Sequence, residues 1–496
     1  MDKPGITSTR GTPAAVEPDS PPSPAAIGNV ISLPTPQPPA RPLGPANLSP
    51  DELVAAGKAM RDKVSRAQHS VWKAPKDRID PVKLLRKSDP ERLPELVPIR
   101  YGRMLVSPFT FYRGSAAVMA ADLAKTPATG IRVQACGDCH LMNFGGFATP
   151  ERNVIFDIND FDETLPGPWE WDVKRLAASF VLAARSLGLP TTTAQEAAAA
   201  STRSYRKRLR KYATMPPLQS WYERVTAEDI IGTMSKARQA LARKRIEKAT
   251  QQTGSELDFP KLADVTGGKS RISDTPPLIF HPEAARVPEF QGIIEKVFAA
   301  YQESLPNDRR SLLRQYRIVD AAIKVVGIGS VGRRCWIALL MSSGNHPIFL
   351  QFKEAVASVL EPYAGKSEFP HHGQRVVEGQ RLMQPASDIF LGWVNGPTGV
   401  QFYVRQLRDA KIKPLVETFD VDMLLAYAKA CGWALARAHS KGMDTSMIAG
   451  YLGGSDEFDD AIGKFAVSYA NQAERDYAAL KAAVRKGKIK VFQETV

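Results

Sequence analysis

The stretch that decides the fold runs 136-CGDCHLMNFGGFATPERNVIFDINDFDET-164. Its first half puts Asp138, His140 and Asn143 on one loop behind a β-rich run from Ile131 to Ala135, with the asparagine five residues beyond the aspartate. Phosphoryl transfer asks little covalent chemistry of a protein. It needs a carboxylate to orient the attacking hydroxyl and oxygen ligands to hold Mg²⁺, and this spacing supplies both. The plainer reading is a polar turn, since Gly-Asp and Asn-Phe-Gly-Gly favour chain reversal.

The second half runs an apolar strand, Asn153 to Ile158, into Asp157, Asp160 and Asp162. Carboxylates this close repel one another unless a cation lies among them, and Mg²⁺ prefers such hard oxygen ligands. A solvated acidic turn is the competing account. Between the two β-rich runs lies GGFATPERN, a connection of the sort that joins antiparallel strands. Asp172 follows at the start of a helix expected over 172–187, where it suits an N-cap or a buried carboxylate that bonds a loop backbone.

Much further along comes 324-KVVGIGSVGRRCWIALLMSSGNHPIFLQFKEA-355. Gly327, Gly329 and Gly332 form G-x-G-x-x-G between two β-rich stretches, a loop whose backbone N–H groups can approach phosphates. A strand rather than a helix follows, which excludes the dinucleotide-binding fold and suits a glycine-rich hairpin over ATP. Lys353 ends the third strand, where kinases keep the lysine of the α- and β-phosphates. Glu378, in the helical GQRVVEGQRLMQ, is the expected ion-pair partner of Lys353, with Glu354 and Glu361 in competition. Residues 406–414, QLRDAKIKP, are the expected hinge beside adenine.

At 496 residues the chain exceeds one hydrophobic core, so two or more lobes are expected. With 43% hydrophobic and 24% charged residues, composition is that of a globular protein. No run of about 18 apolar residues marks a membrane span. The N-terminus lacks the basic-then-apolar layout of a secretory signal, and four cysteines make no disulfide framework, so a cytoplasmic protein is expected. The formal charge of +14 favours anionic partners without choosing among them.

Residues 1–48, rich in Pro, Ala and Ser, read as a disordered tail. Helices are expected from Pro50 to Val64 and from Phe111 to Leu123. Residues 195–310 read as mostly helical, with an interruption near 252–275. Ala321 to Leu407 reads as strand, glycine loop, strand, turn, strand, helix, strand, turn, strand. Further helices are expected from Val421 to His439 and from Phe458 to Val484. The division is therefore a tail at 1–48, a helical lobe at 49–318, a β-rich nucleotide-binding lobe at 319–418, and helices at 419–496 that return to the helical lobe.

Two features point elsewhere. Cys136-Gly-Asp-Cys139-His140 spells C-x-x-C-H, the attachment signature of c-type haem, but attachment needs an export context that this chain lacks, so haem is not expected. The basic runs RSYRKRLRK at 203–211 and ARKRIEK at 242–248 hint at an anionic surface partner. Without interleaved aromatics or a zinc motif, a solvated helix face explains them better than nucleic acid does.

The loop GDCHLMN resembles the G-D-x-H-x-x-N of aminoglycoside- and choline-kinase-like phosphotransferases, and NDFDET with GPWEWD resembles their D-F-x-D…D segment. That resemblance implies Asp138 at the catalytic aspartate position, with His140 beside it. It implies Asn143 and Asp160 as metal ligands, Asp157 and Asp162 as rivals for the metal, and Asp172 as loop anchor. The stretches SPFTFYRGSAAVMAADLA, CGDCHLMNFGGFATPERNVIFDINDFDETLPGPWEWDVKRLAAS and FLQFKEA resemble the bacterial domain-of-unknown-function 2252 family over about residues 50 to 490.

The order of the parts departs from a kinase, because catalytic loop and aspartates here precede the glycine loop. Cutting a kinase before its catalytic loop and joining its old ends gives this order. The expectation is thus an α+β, protein-kinase-like, two-lobed and circularly permuted fold. It would bind ATP and Mg²⁺ and transfer phosphate to an unknown acceptor. AMP transfer and an ATP-binding pseudokinase scaffold are the alternatives. Arg113 in FYRG is a further candidate for an anionic group.

Overall fold

The computed structural model describes residues 48–494 apart from 233–235, 251–258, 267–268, 287–288, 408–410 and 443–444. The tail expected over 1–48 lies, but for Leu48, outside the described residues. The rest is α+β, a helical body beside small antiparallel sheets.

Helices Trp169–Ser186, Thr191–Ala213, Val421–His439 and Glu457–Arg485 build the helical body around the largest core. Asp420 starts the third of these by accepting from the Met423 N–H, as an N-cap should. This helix packs on the Ala-rich Thr191–Ala213 helix, and its own Ala428, Ala434 and Ala436 are all buried. Gly432 marks the closest approach, since a Cβ there would lie 2.0 Å from the Ser201 carbonyl oxygen.

Strands β1 (Arg132–Ala135), β2 (Phe144–Ala148), β3 (Val154–Ile158) and β4 (Leu165–Pro168) surround the deciding stretch. They pair as β1 with β4 and β2 with β3, so β1 and β3 are not partners across the turn-rich connection. The GGFA expected as turn is itself strand β2. Its glycines let the linker after the large sheet approach, and a Cβ at Gly145 would lie 2.7 Å from the Ile412 oxygen. Gly146 and Ile412 exchange backbone hydrogen bonds of 2.9 and 2.7 Å.

A hairpin, β5 (Ala263–Thr266) and β6 (Lys269–Ile272), falls within the interruption expected near 252–275. The large sheet combines β7 (Ile279–Phe280), β8 (Tyr316–Lys324), β9 (Cys335–Ser342), β10 (Pro347–Glu354), β11 (Gly392–Asn395) and β12 (Gln401–Gln406) in the antiparallel order β11-β12-β10-β9-β8-β7. Edge strand β7 and the helix Glu289–Gln302, which packs on one face, precede residue 319. The sheet therefore draws on chain earlier than the boundary expected there.

The alternation of β10 decides where Lys353 points. Ile348, Leu350 and Phe352 join the core under Glu289–Gln302, while Phe349, Gln351 and Lys353 take the opposite face, towards the helical body. Between the strands at 354 and 392 lies the helix His372–Met383. The segment Phe111 to Leu123 is two helices, Pro108–Arg113 and Ala116–Leu123, broken at Gly114 and Ser115. The N-terminal helix closes at Ala59 and passes into a 3₁₀ turn, Met60–Asp62. No helix among the described residues is long and apolar enough to cross a membrane.

Candidate functional site

A cleft of about 900 Å³ opens between the sheet and the helical body. Asp138, His140, Asn143, Asp160, Asp162, Gly327, Gly329 and Lys353 all line it. Asp157, Asp172, Gly332 and Glu378 do not.

The Asp138 loop is held from behind. Asp172, one turn into the helix Trp169–Ser186, is 1% exposed and accepts the backbone N–H of Cys136 at 2.7 Å and of Gly137 at 3.0 Å. His439 supports it, with Nε2 3.2 Å from Asp172 Oδ2 and Nδ1 2.9 Å from the Tyr205 hydroxyl. This is the buried, loop-bonding alternative for Asp172, not the N-cap. Three residues further along the same helix, Arg175 donates its Nε to Asp138 Oδ1 at 2.6 Å. Burial raises the Asp138 carboxyl above its ordinary range, and Arg175 only partly opposes this. His140 is driven the other way, well below the usual imidazole range, by burial and by the nearby Arg113 and Arg175 charges, so it is neutral. Its Nε2 lies 3.8 Å from Asp138 Oδ2.

Asn143 donates its side-chain N–H to the Asp138 carbonyl at 2.8 Å, which leaves Oδ1 without a protein partner among the described residues. Its own carbonyl accepts from the Asn159 N–H at 2.7 Å, tying the two halves of the deciding stretch together.

Lys353 crosses the cleft. Its Nζ donates to Asp162 Oδ2 at 2.6 Å and lies 4.0 Å from Asp160 Oδ2. Tyr403 on β12 donates its hydroxyl to Asp162 Oδ1, also at 2.6 Å. Burial pushes Asp162 up, and Lys353 with the tyrosine hydroxyl more than offsets that, leaving it below the usual carboxylate range. Asp160 is raised by burial and by repulsion from Asp162. Burial works against the charge on Lys353, but the two carboxylates outweigh it and hold its ammonium well above its ordinary pKa.

Glu378 is not the partner of Lys353. It pairs with Arg381 at 3.1 Å, while Glu354 binds Arg334 and Glu361 turns to the Ser358 N–H. One turn earlier, Arg375 carries the contact from that helix, donating to the Thr164, Asp162 and Val356 carbonyls at 2.6, 2.8 and 2.8 Å. Asp157 is likewise set apart. Inward-facing on β3 and 0% exposed, it pairs with the equally buried Arg437 at 2.7 Å, so it is no rival for a metal in the cleft.

The glycine loop at 325–334 leans on the N-terminal segment. Arg103 donates to the Gly327 carbonyl at 2.7 Å, the Leu93 N–H to the Gly332 carbonyl at 2.8 Å, and Arg92 to the Val331 carbonyl. Gly332, at φ +87°, serves this fastening, not the cleft. Of the residues expected as a hinge, Gln406, Leu407, Lys411 and Lys413 line the cleft, and 408–410 lie outside the described residues. In all, ten Lys and Arg side chains face five carboxylates, an environment that draws anions.

The remaining sequence signals belong to structure. Cys136, Cys139 and Asp172 offer ligand atoms within 4.8 Å of one another, but both Asp172 oxygens are engaged and burial raises both thiols. In the run at 203–211, Arg206 is buried against Asp459, Arg203 binds Glu196 at 3.0 Å, and Arg208 lies 3.4 Å over the Trp433 ring. Three of the run's six cations are thus engaged within the molecule, and Lys207, Arg210 and Lys211 stay exposed.

A family model described as an uncharacterized protein conserved in bacteria (DUF2252) matches residues 92–483. The chain belongs to this family. No curated protein and no solved structure is matched. The DUF2252 span takes in every cleft-lining residue from Arg92 to Lys413 and leaves only Ser88 outside. It also takes in Arg175, Arg375, Tyr403 and Arg437, which sequence reasoning missed. For Arg175 a signal existed in its place one turn after Asp172. The other three are framework cations and a strand tyrosine, with nothing in their spacing to set them apart.

Proposed function

We propose that this chain is a Mg-ATP-dependent phosphotransferase built on a kinase-like arrangement in permuted order. One observation carries the reading. Lys353 and Asp162, 191 residues apart in sequence, meet at 2.6 Å in a cleft that also holds the Asp138 loop and the glycine loop.

The donor set fits Mg²⁺. Asp160 presents a carboxylate at the cleft beside Asp162, whose oxygens are held by Lys353 and Tyr403, and Asn143 Oδ1 has no protein partner among the described residues. When bound, the ion supplies a counter-charge to the phosphates. Lys353, on a strand that cannot swing, would contact the phosphates from the sheet side. The glycine loop at Gly327 to Gly329 lines the cleft and would present its backbone to a phosphate. Asp138, oriented by Arg175 through one oxygen, would accept the acceptor hydroxyl through the other.

The permuted order draws support from contacts between early and late described segments. Helix Pro50–Ala59 packs on helix Thr445–Leu452, and the Phe492 N–H donates to the Pro98 carbonyl at 3.0 Å. Contacts between early and late chain fit a fold whose segments have been joined in a new order.

The test uses the purified protein with Mg²⁺ and ATP labelled at the γ- or the α-phosphate. Transfer of the γ-label is the expected result. Transfer of the α-label means AMP transfer, and binding without transfer means a scaffold. Absence of Mg-ATP binding, or an Asp160→Ala variant that binds and turns over as before, overturns the proposal.

A further inference from the structure

Most cations of the cleft are already spoken for. Among its described arginines, Arg92 donates to the Val331 carbonyl, Arg100 pairs with Asp89, Arg333 with Glu91, and Arg405 donates to Gln351 at 3.0 Å. Arg113 alone of this set has neither an ion pair nor a hydrogen bond. Its Nε is buried with no partner. A part-buried guanidinium with a buried N–H and no acceptor is a costly arrangement unless an anion completes it, because that donor and a fixed charge go unanswered.

The position of Arg113 narrows what that anion is. It closes the helix Pro108–Arg113, and its carbonyl abuts the glycine loop, so that a Cβ on Gly329 would lie 3.6 Å from the Arg113 oxygen. The next residue, Gly114, is pressed against Ile328, with 3.1 Å left for a Cβ. On its other side the guanidinium is close enough to the Asp138 carboxylate to bias its charge. Arg113 therefore stands between the loop that would cover the nucleotide phosphates and the carboxylate that would orient the acceptor. A second orphan lies beside it. His140 is 4% exposed, lines the cleft, and leaves Nδ1 without a partner.

We propose that Arg113 binds the phosphoryl group in transit from nucleotide to acceptor, neutralising the charge on its oxygens where it is greatest. The inference rests on the phosphotransferase reading. In the step, the bond from the γ-phosphorus to the bridging oxygen breaks and its electron pair leaves with ADP. The acceptor oxygen forms the new bond to phosphorus, and its proton passes to Asp138. Arg113 gains and loses nothing. It is fixed in the protein, so its charge needs no rearrangement when the oxygens need it.

The test compares the wild type with Arg113→Ala and Arg113→Lys, using Mg-ADP, Mg-ADP with tetrafluoroaluminate, and the hydrolysis of Mg-ATP by water. Mg-ADP, which lacks the travelling group, should bind both variants within about twofold of the wild type. Tetrafluoroaluminate, a mimic of that group, should tighten ADP binding in the wild type and lose at least ~10-fold of that gain in Arg113→Ala. Hydrolysis should fall by on the order of 10²-fold or more, with partial recovery on adding guanidinium ion. Lysine keeps the charge but not the fork, so Arg113→Lys should fall between the two. Should the alanine variant not fold, the lysine variant carries the test alone.

Two results overturn the inference and leave the phosphotransferase reading standing. One is unchanged tightening and hydrolysis in the variants. The other is an equal loss for Mg-ADP and its tetrafluoroaluminate complex, which would make Arg113 an anchor for bound nucleotide. A wild type that binds no Mg-ADP or Mg-ATP removes both.

Discussion

Replacing Asp157 by asparagine isolates the question of which aspartates serve the cleft and which serve the fold. Asp157 and Arg437 are each 0% exposed and lie 2.7 Å apart. Asparagine keeps the shape and can still accept from the Ile158 N–H, now made to Asp157 Oδ1 at 2.8 Å. What it removes is the charge that answers Arg437, whose remaining hydrogen bond is to the Met383 carbonyl. Breaking a buried pair from one side costs about 3–5 kcal/mol. That is a factor on the order of 10²–10⁴ in the folded-to-unfolded ratio. The measurement is the urea midpoint of the wild type, Asp157→Asn, and a double variant with Asp157→Leu and Arg437→Met. The double variant should recover most of the loss, since an apolar pair of similar volume replaces an ion pair with little net change. Affinity for Mg-nucleotide, measured where all three are folded, should be unaffected. A loss under ~1 kcal/mol, well short of the range for a broken buried pair, refutes the reasoning. So does a Mg-nucleotide affinity that falls as far in folded Asp157→Asn as in Asp160→Ala.

Three further outcomes are expected. Asp172→Ala orphans the Cys136 and Gly137 N–H groups, at roughly 1–3 kcal/mol each, and should lower the unfolding midpoint together with turnover, whereas Asp172→Asn keeps one acceptor and should fall between; unchanged turnover in both would contradict the anchoring role. Turnover should be lost as pH falls through a midpoint above the ordinary aspartate range, because burial raises Asp138 and only its ionised form accepts a proton; a pH–rate profile tests this, and an acid limb in or below that ordinary range contradicts it. Lys411 is lowered to about 7 by burial and by Arg405, so between there and 10.5 the unfolded chain holds a proton that the folded one does not, and stability should rise with pH across that window. Lys411→Met should flatten that rise in a series of denaturant midpoints, and an undiminished slope would count against it.

Much of the fold could be read from local pattern. The β–glycine loop–β–β–helix–β–β course of 321–407 follows from period-two alternation and turn residues, which act over a few positions. The helix Val421–His439 ends where it was expected because its cap and its small-residue face are both local. Strand β2 was not legible, since its glycines look like a turn until β3 pairs with one edge and Ile412, more than two hundred residues away, bridges to Gly146. The break at Gly114 has the same origin, a tertiary contact with Met104 and Ile328.

For the site, the carboxylates were findable because clustered charge is conspicuous, but their division of labour was not. Asp157 faces Arg437, whereas Asp160 and Asp162 share Lys353 and Arg405, and all three cations come from distant chain. The helix glutamate failed for a related reason. A carboxylate already opposite Lys353, Asp162, leaves no vacancy for Glu378, and the helix instead sends Arg375 to carbonyl oxygens.

The fastening of the glycine loop bears on how anything enters or leaves. Three bonds, from Arg103, Arg92 and the Leu93 N–H, tie its two shoulders to the segment 92–103. A loop secured at both shoulders behaves as a lintel, not a flap. To raise it, the molecule must either break those bonds or carry residues 92–103 along with it. Traffic through the cleft then depends on how far this lintel and its post move as one piece, which couples entry and exit to the segment 92–103.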